Sequence, residues 1–282
     1  MLSYQEAVNF ASDVLKVSVH QKESSLSLLN ELIFAFYENV PFQSVTLQAI
    51  PLEKRRQPTL EEAKTEVLSG RGGLCYTVNT FMKYFTEALG FNVRHICSSI
   101  KTNNDHIMTI AEIDNEKYLI DVGSGYPTFE AIPINFEKES KVYQHSFLEY
   151  KFAKEEKDES LMIIRLHKKG DFRPGSDAAT TSASWRVACI IDPMPRDLSF
   201  FDSSMSLIYS SSDHLVFHTS LRIILFPNGG QALVLRDKLL YKEDSNTHEL
   251  VIKKEFDNFS DIIEEIKTLF PLLYDEAKKI VN

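Results

Sequence analysis

Apolar positions along residues 4–37 recur at helical spacing. Ala7, Phe10, Ala11, Val14 and Leu15 mark one face, and Leu26, Leu29, Leu32, Ile33 and Phe36 mark a second. Pro41 closes that stretch, because the residue before a proline is biased away from helix. Thr59-Leu-Glu-Glu62 places an acid three residues behind a threonine cap and predicts a further helix start. After the glycine-rich turn Ser69–Gly73, the positions Val78, Phe81, Met82, Phe85 and Leu89 repeat at three and four, with Gly90 as the stop. From Asn92 onward the texture changes to short β-rich runs: FNVRHICSSI, HIMTIAEI, KYLIDVG, LMIIRLH, WRVACIID, LRIILF and QALVLR. A final helix is expected near Ser260–Leu269. The pattern is an α+β fold, with helices first and last and an antiparallel barrel or sandwich between.

Composition narrows this picture. With 282 residues, 43% hydrophobic and 11% aromatic, the chain can bury a large core. A net charge of −9 argues against non-specific nucleic-acid binding, which needs a basic face. The compact basic cluster Lys54-Arg55-Arg56 reads as a solvated loop. MLSYQEAVNFASDVL lacks a basic segment followed by an apolar one, so no secretory signal is expected. LSLLNELIFAF is too short to span a bilayer, and three widely spaced cysteines suggest no disulfide framework. Cytoplasmic residence is the expectation. No Cys/His pair has zinc-ligand spacing, and Ser-Gly-Arg-Gly-Gly lacks the GK[ST] ending of a phosphate loop, so neither a metal nor a nucleoside triphosphate is expected.

Cys75 follows two glycines at the start of a helical run, where backbone N–H groups and the helix dipole favour an anion. Cys97 and Cys189 lie inside apolar strands and read as core. A nucleophilic cysteine needs a base, and the base an orienting partner. His106 opens the strand HIMTIAEI, which turns at Asp114-Asn115 and returns as EKYLIDVG. A two-residue turn pairs Ile113 with Glu116, setting Asp121 opposite Met108 and His106 opposite Gly123. His106 and Asp121 are then diagonal neighbours on one sheet face. A carboxylate between Ile120 and Val122 calls for a partner. Asp121 could equally cap the turn Val122–Gly125, and His106 could be a satisfied surface group.

Arg71-Gly-Gly-Leu-Cys-Tyr-Thr-Val-Asn79, the strand led by His106, and Asp121-Val-Gly-Ser-Gly125 resemble the arylamine N-acetyltransferases. Val40-Pro41-Phe42 is similar to the family's PFEN segment, and Ser184-Trp185 to the start of its third region. The resemblance implies a helical bundle over 1–90 carrying the nucleophile, a β-barrel over 91–185 carrying His and Asp, and an α/β lid over 186–282. It implies that Cys75, served by His106 and Asp121, takes an acyl group from acetyl-CoA as a thioester. An arylamine, hydrazine or N-hydroxyarylamine then discharges it, while backbone N–H groups near Cys75 hold the oxyanion. It further implies substrate contacts at Phe42, Ser124, Gly125 and Phe217, CoA contacts at Asn104 and Ser212, and supporting roles for Arg71, Gly72, Gly73 and Asn79. No metal, nucleic acid or membrane partner is implied.

The chain departs from the family in several places. Gln43 stands where a glutamate is usual, leaving Arg71 without that carboxylate. Thr77 replaces a Glu or Gln, and the small Ser124 enlarges the acceptor pocket. The interval from Cys75 to His106 is short, and Ser212-Asp213-His214 departs from a Ser-Pro-Ser-like run, so the donor is expected to dock differently. The order Cys, His, Asp also suits a cysteine hydrolase of the papain or transglutaminase type, and a non-catalytic ligand-binding relative is a further alternative.

Overall fold

The computed structural model describes residues 2–19, 24–157, 160–168, 185–211 and 216–280. Helix α1 (Tyr4–Asp13) starts at a capping box between Ser3 and Glu6, and α2 (Leu26–Asn39) starts at Ser25. A short helix α3 (Val45–Gln48) follows. The capping box at Thr59 and Glu62 starts α4 (Leu60–Leu68) as expected, and α5 (Cys75–Ala88) follows the glycine turn. Phe10 of α1 meets Phe81 and Phe85 of α5 edge-on at 4.8 and 5.1 Å, joining the predicted apolar faces into one core.

Eight strands form an antiparallel sheet that curls into a half-barrel. They are β2 (Asn92–Ser99), β3 (His106–Ile113), β4 (Glu116–Ile120), β5 (Ile132–Pro133), β6 (Tyr143–His145), β7 (Leu148–Lys157), β8 (Ser160–Lys168) and β9 (Trp185–Arg196), in the order β5-β4-β3-β2-β9-β8-β7-β6. The turn between β3 and β4 has Asp114 and Asn115 both at positive φ, 53° and 63°, the geometry of a two-residue hairpin. Ile113 faces Glu116 and Thr109 faces Ile120, so the expected register holds over the paired residues.

A helix α6 (Asp202–Ser210) then leads to a second, five-stranded sheet. Its strands β10 (Arg222–Leu225), β11 (Leu233–Arg236), β12 (Leu239–Glu243) and β13 (Leu250–Glu255) are edged by β1 (Phe42–Gln43), which comes from the helical opening of the chain. Ile223, Leu233 and Leu235 turn one face of this sheet onto Ile262 and Ile266 of the last long helix, Phe259–Leu269. That helix starts one residue before the expected Ser260, because the Asn258 side chain, not a serine, caps it. Among the described residues, no helix is long and apolar enough to cross a membrane.

Candidate active site

Cys75 is the first residue of α5. Leu74, at the N-cap, offers no side-chain oxygen, so no side-chain cap competes for the N–H groups of that first turn. The preceding turn is set by a close backbone approach. Gly72 has φ +69°, and a Cβ there would lie 1.9 Å from the Pro41 carbonyl oxygen, which only glycine avoids. Cys97 and Cys189 are buried, as their strands predict, whereas Cys75 is partly exposed.

The hairpin brings the other two candidates to it. His106 opens β3 and Asp121 follows β4 immediately, and both are buried, at 2% and 3% exposure. His106 Nε2 donates to Asp121 Oδ1 at 3.1 Å, since an ionised carboxylate can only accept. Nδ1 is thereby left as the nitrogen for Cys75, whose side chain is near enough to favour the charged imidazole. Burial works against charge on His106, but the charge and hydrogen bond of Asp121, together with Cys75, raise its pKa well above the usual value. Burial also opposes charge on Asp121. There the charge and hydrogen bond of His106, with the Arg165 guanidinium and Asn79, hold the carboxyl well below the ordinary range. The group as a whole favours an ion pair: imidazolium beside carboxylate.

Asn79, one turn along α5 from Cys75, clamps the helix to the hairpin. Its Nδ2 donates to Asp121 Oδ1 at 2.9 Å and to the Ile107 carbonyl at 2.7 Å, and its Oδ1 accepts from Val122 N at 2.9 Å. Gly123 N is a third donor to Asp121 Oδ1, at 3.0 Å. A residue absent from the sequence reading, Tyr37 of α2, donates its hydroxyl to the Asp121 carbonyl oxygen at 2.6 Å. The motif pattern could flag Asn79, but nothing local to Tyr37 signals a partner so distant in sequence.

Gly123 is a point of close contact between the helix and the segment after the hairpin. A Cβ there would meet Cys75 Cα at 2.9 Å and Asn79 Nδ2 at 2.6 Å. Gly123→Ala is therefore expected to lower stability by about 1–3 kcal/mol. It should also lower activity by more than its unfolded fraction explains, because Cys75 moves relative to His106. Melting curves beside initial rates check this, and a variant with wild-type rate would show that the contact does not position the nucleophile.

Cys75 and His106 open into a cleft of about 410 Å³. Phe42, Ser124, Gly125 and Phe217, the expected substrate contacts, all line it. Phe42 and Phe217 meet edge-on at 5.4 Å. Asn104 does not line it. With φ 58°, it forms the turn of the loop whose Ile100, Lys101 and Asp105 reach the cleft instead. The Asp105 carboxylate ties that loop down by accepting from the N–H groups of Ile100, Lys101 and Thr102 at 2.7–2.8 Å. Ser212, the other expected CoA contact, lies outside the described residues, as do Asp213, His214 and Ser184.

Two readings are corrected. Arg71 does have a carboxylate: Glu66 of α4 takes its Nε and Nη2 at 2.8 and 2.9 Å, while the Gln43 amide bonds to the Arg71 carbonyl instead. A helical partner five residues upstream replaces the missing one. The basic cluster is also more than a solvated loop. Arg55 Nη1 donates to the His218 carbonyl at 2.9 Å and Nη2 to that of Gln48 at 3.3 Å, tying this segment to the one carrying Phe217, while Arg56 pairs with Glu62.

Comparison with known proteins gives a consistent family. The family model described as N-acetyltransferase matches residues 25–273. "Probable arylamine N-acetyltransferase 2" of Dictyostelium discoideum is 35% identical over 77 residues, an alignment covering 24% of this chain and 26% of that relative. The crystal structure of an arylamine N-acetyltransferase from Bacillus cereus, described as having a unique Cys-His-Glu catalytic triad, has TM-score 0.73 and 20% identity, covering 96% of this chain and 98% of its own. This chain carries aspartate at the carboxylate position of its own cluster. The arylamine N-acetyltransferase of Mycobacterium marinum, solved in complex with CoA, has TM-score 0.74 and 14% identity over 98% of this chain and all of the other. At these identities the structures establish the shared fold.

Proposed function

Because the chain belongs to the arylamine N-acetyltransferase family, we propose that it moves an acetyl group from acetyl-CoA to an arylamine-type nitrogen through a thioester on Cys75. The observation that carries this reading is the continuous chain of contacts from Cys75 through His106 to Asp121 at the wall of an apolar cleft.

The chemistry follows from the arrangement. His106 accepts the Cys75 proton on Nδ1, and its imidazolium is held by the ionised Asp121. The sulfur attacks the acetyl carbonyl, forming a new S–C bond. The carbonyl oxygen takes the negative charge, facing N–H groups at the start of α5. The bond to the CoA sulfur then breaks, and that sulfur leaves with the proton from His106. In the second half the amine nitrogen attacks the thioester and gives its proton to His106. The bond to Cys75 sulfur breaks and the amide is released. The CoA-bound relative of M. marinum supports the donor, and the aromatic pair Phe42 and Phe217 supports an aryl acceptor.

Steady-state kinetics with both substrates varied test the reading. A double-displacement pattern of parallel reciprocal lines is expected, with acetylation of the enzyme proceeding in the absence of acceptor. Intersecting lines together with no acetylation would mean direct transfer and contradict it.

A further inference from the structure

Cys75 lines the catalytic cleft, but Leu74 and Thr77 on either side of it do not. They line a second cavity, of about 310 Å³, that shares no lining residue with the cleft. Helix α6 separates the two spaces in the same way, with Ile208 at the cleft and Tyr209 at the cavity. The remaining walls come from α3, the segment after it, α4 and the closing helical turn Tyr274–Ala277. Such a volume lies at the lower end of the range, roughly 300–1,000 Å³, that holds small organic ligands.

The buried end of this cavity carries an unanswered polar group. Tyr209 is 4% exposed, and its hydroxyl, whose polar neighbour is the Thr77 side chain, makes no well-formed hydrogen bond. Burial and the charge of nearby Cys75 push its pKa well above the usual value, so it stays an O–H donor. A buried donor left unpaired is unfavourable, and an occupant that offers an oxygen relieves it. Leu47, Ile50 and Leu74 make the adjoining walls aliphatic.

Charge gathers at the rim, and most of it is already balanced. Glu62 pairs with Arg56 at 2.6 Å, Glu66 with Arg71 at 2.8 Å, and Glu276 with Lys279 at 2.8 Å. Lys54 is exposed and left over: among the described residues its ammonium group has no ion pair or hydrogen bond. The cavity thus joins a buried donor, an aliphatic passage and a positive rim.

We infer that this cavity binds a small aliphatic carboxylic acid bearing a carbonyl oxygen at its far end. The carbonyl accepts from Tyr209, the chain lies against Leu47, Ile50 and Leu74, and the carboxylate meets Lys54. The neutral oxygen is the one that goes in, because a carboxylate at the buried end would shed its water beside the Cys75 sulfur. An amine suits the rim less well, since the carboxylates there already hold cations. The site does not depend on the acetyl-transfer reading.

Calorimetry on the full chain tests it with 7-oxooctanoate, octanoate and the neutral 7-oxooctanamide. The wild type should bind 7-oxooctanoate about three- to tenfold more tightly than octanoate, the effect of one hydrogen bond to a buried donor. That preference should vanish in Tyr209→Phe, which removes a hydroxyl without a partner and should melt no lower than wild type. Lys54→Gln should weaken 7-oxooctanoate by about twofold or more and leave 7-oxooctanamide unchanged. The inference is overturned by no binding to wild type, by a preference that survives Tyr209→Phe, or by acid binding indifferent to Lys54→Gln. Should Tyr209→Phe not fold, Ile50→Trp decides in its place. That position is 38% exposed, and the indole fills the passage, so binding should be lost; unchanged affinity would sink the site.

Discussion

Replacing Cys75 with alanine is expected to reduce acetyl transfer by roughly three to six orders of magnitude, the scale on which removing a covalent nucleophile acts. Cys75 is partly exposed and begins its helix, so the truncation opens no core cavity, and stability should change by less than about 1 kcal/mol. Loss of rate with an intact melting transition separates chemistry from folding. A thiol reagent should label Cys75 first, because Cys97 and Cys189 are buried and burial pushes both thiols up in pKa. Retention of wild-type turnover by Cys75→Ala would remove the thioester from the mechanism.

The second large effect is expected at Asp121. Asp121→Asn keeps the volume but removes the charge that raises His106, so burial takes over and the imidazole stays neutral. The amide oxygen can keep the Oδ1 place and still accept from Asn79, Gly123 and His106, so what is lost there is the charge behind those hydrogen bonds. Turnover should fall by roughly 10³- to 10⁴-fold, by analogy with other triads that lose their carboxylate.

The stability difference between wild type and Asp121→Asn carries a pH signature. Asp121 has a depressed folded pKa, so its contribution is complete above the unfolded value of about 3.9 and is lost as pH falls through the folded one. His106 has a raised folded pKa, so its contribution is complete below about 6.5 and is lost as pH rises through the folded one. The difference in melting temperature should therefore be greatest between about pH 4 and 6.5 and shrink toward alkaline pH. A difference that grows with pH would mean that the pair is not ionic.

Some of this arrangement can be read from local sequence. Alternation in HIMTIAEI and KYLI, with two residues able to take positive φ between them, fixes a register, and the register brings Asp121 beside His106. The capping residues Thr59 and Glu62 place α4 for the same reason, as a local hydrogen-bond pattern with a local signature. Strands β7 and β13 were hidden because their lysines and glutamates, as in LEYKFAKEEK and LVIKKE, dilute the apolar alternation. Helix α6 has three serines in its first five residues, a composition that reads as loop. Contacts between distant segments have no local trace at all. Phe42 pairs with Ile224, Tyr37 reaches Asp121, and Arg222 faces Arg236 only once the two sheets are assembled.

Intact-protein mass, measured after mixing the enzyme with acetyl-CoA and no acceptor, tests the central claim most directly. A gain of one acetyl group is predicted, absent in Cys75→Ala and discharged when an arylamine is added. No gain in the wild type, or a gain that survives Cys75→Ala, would contradict it.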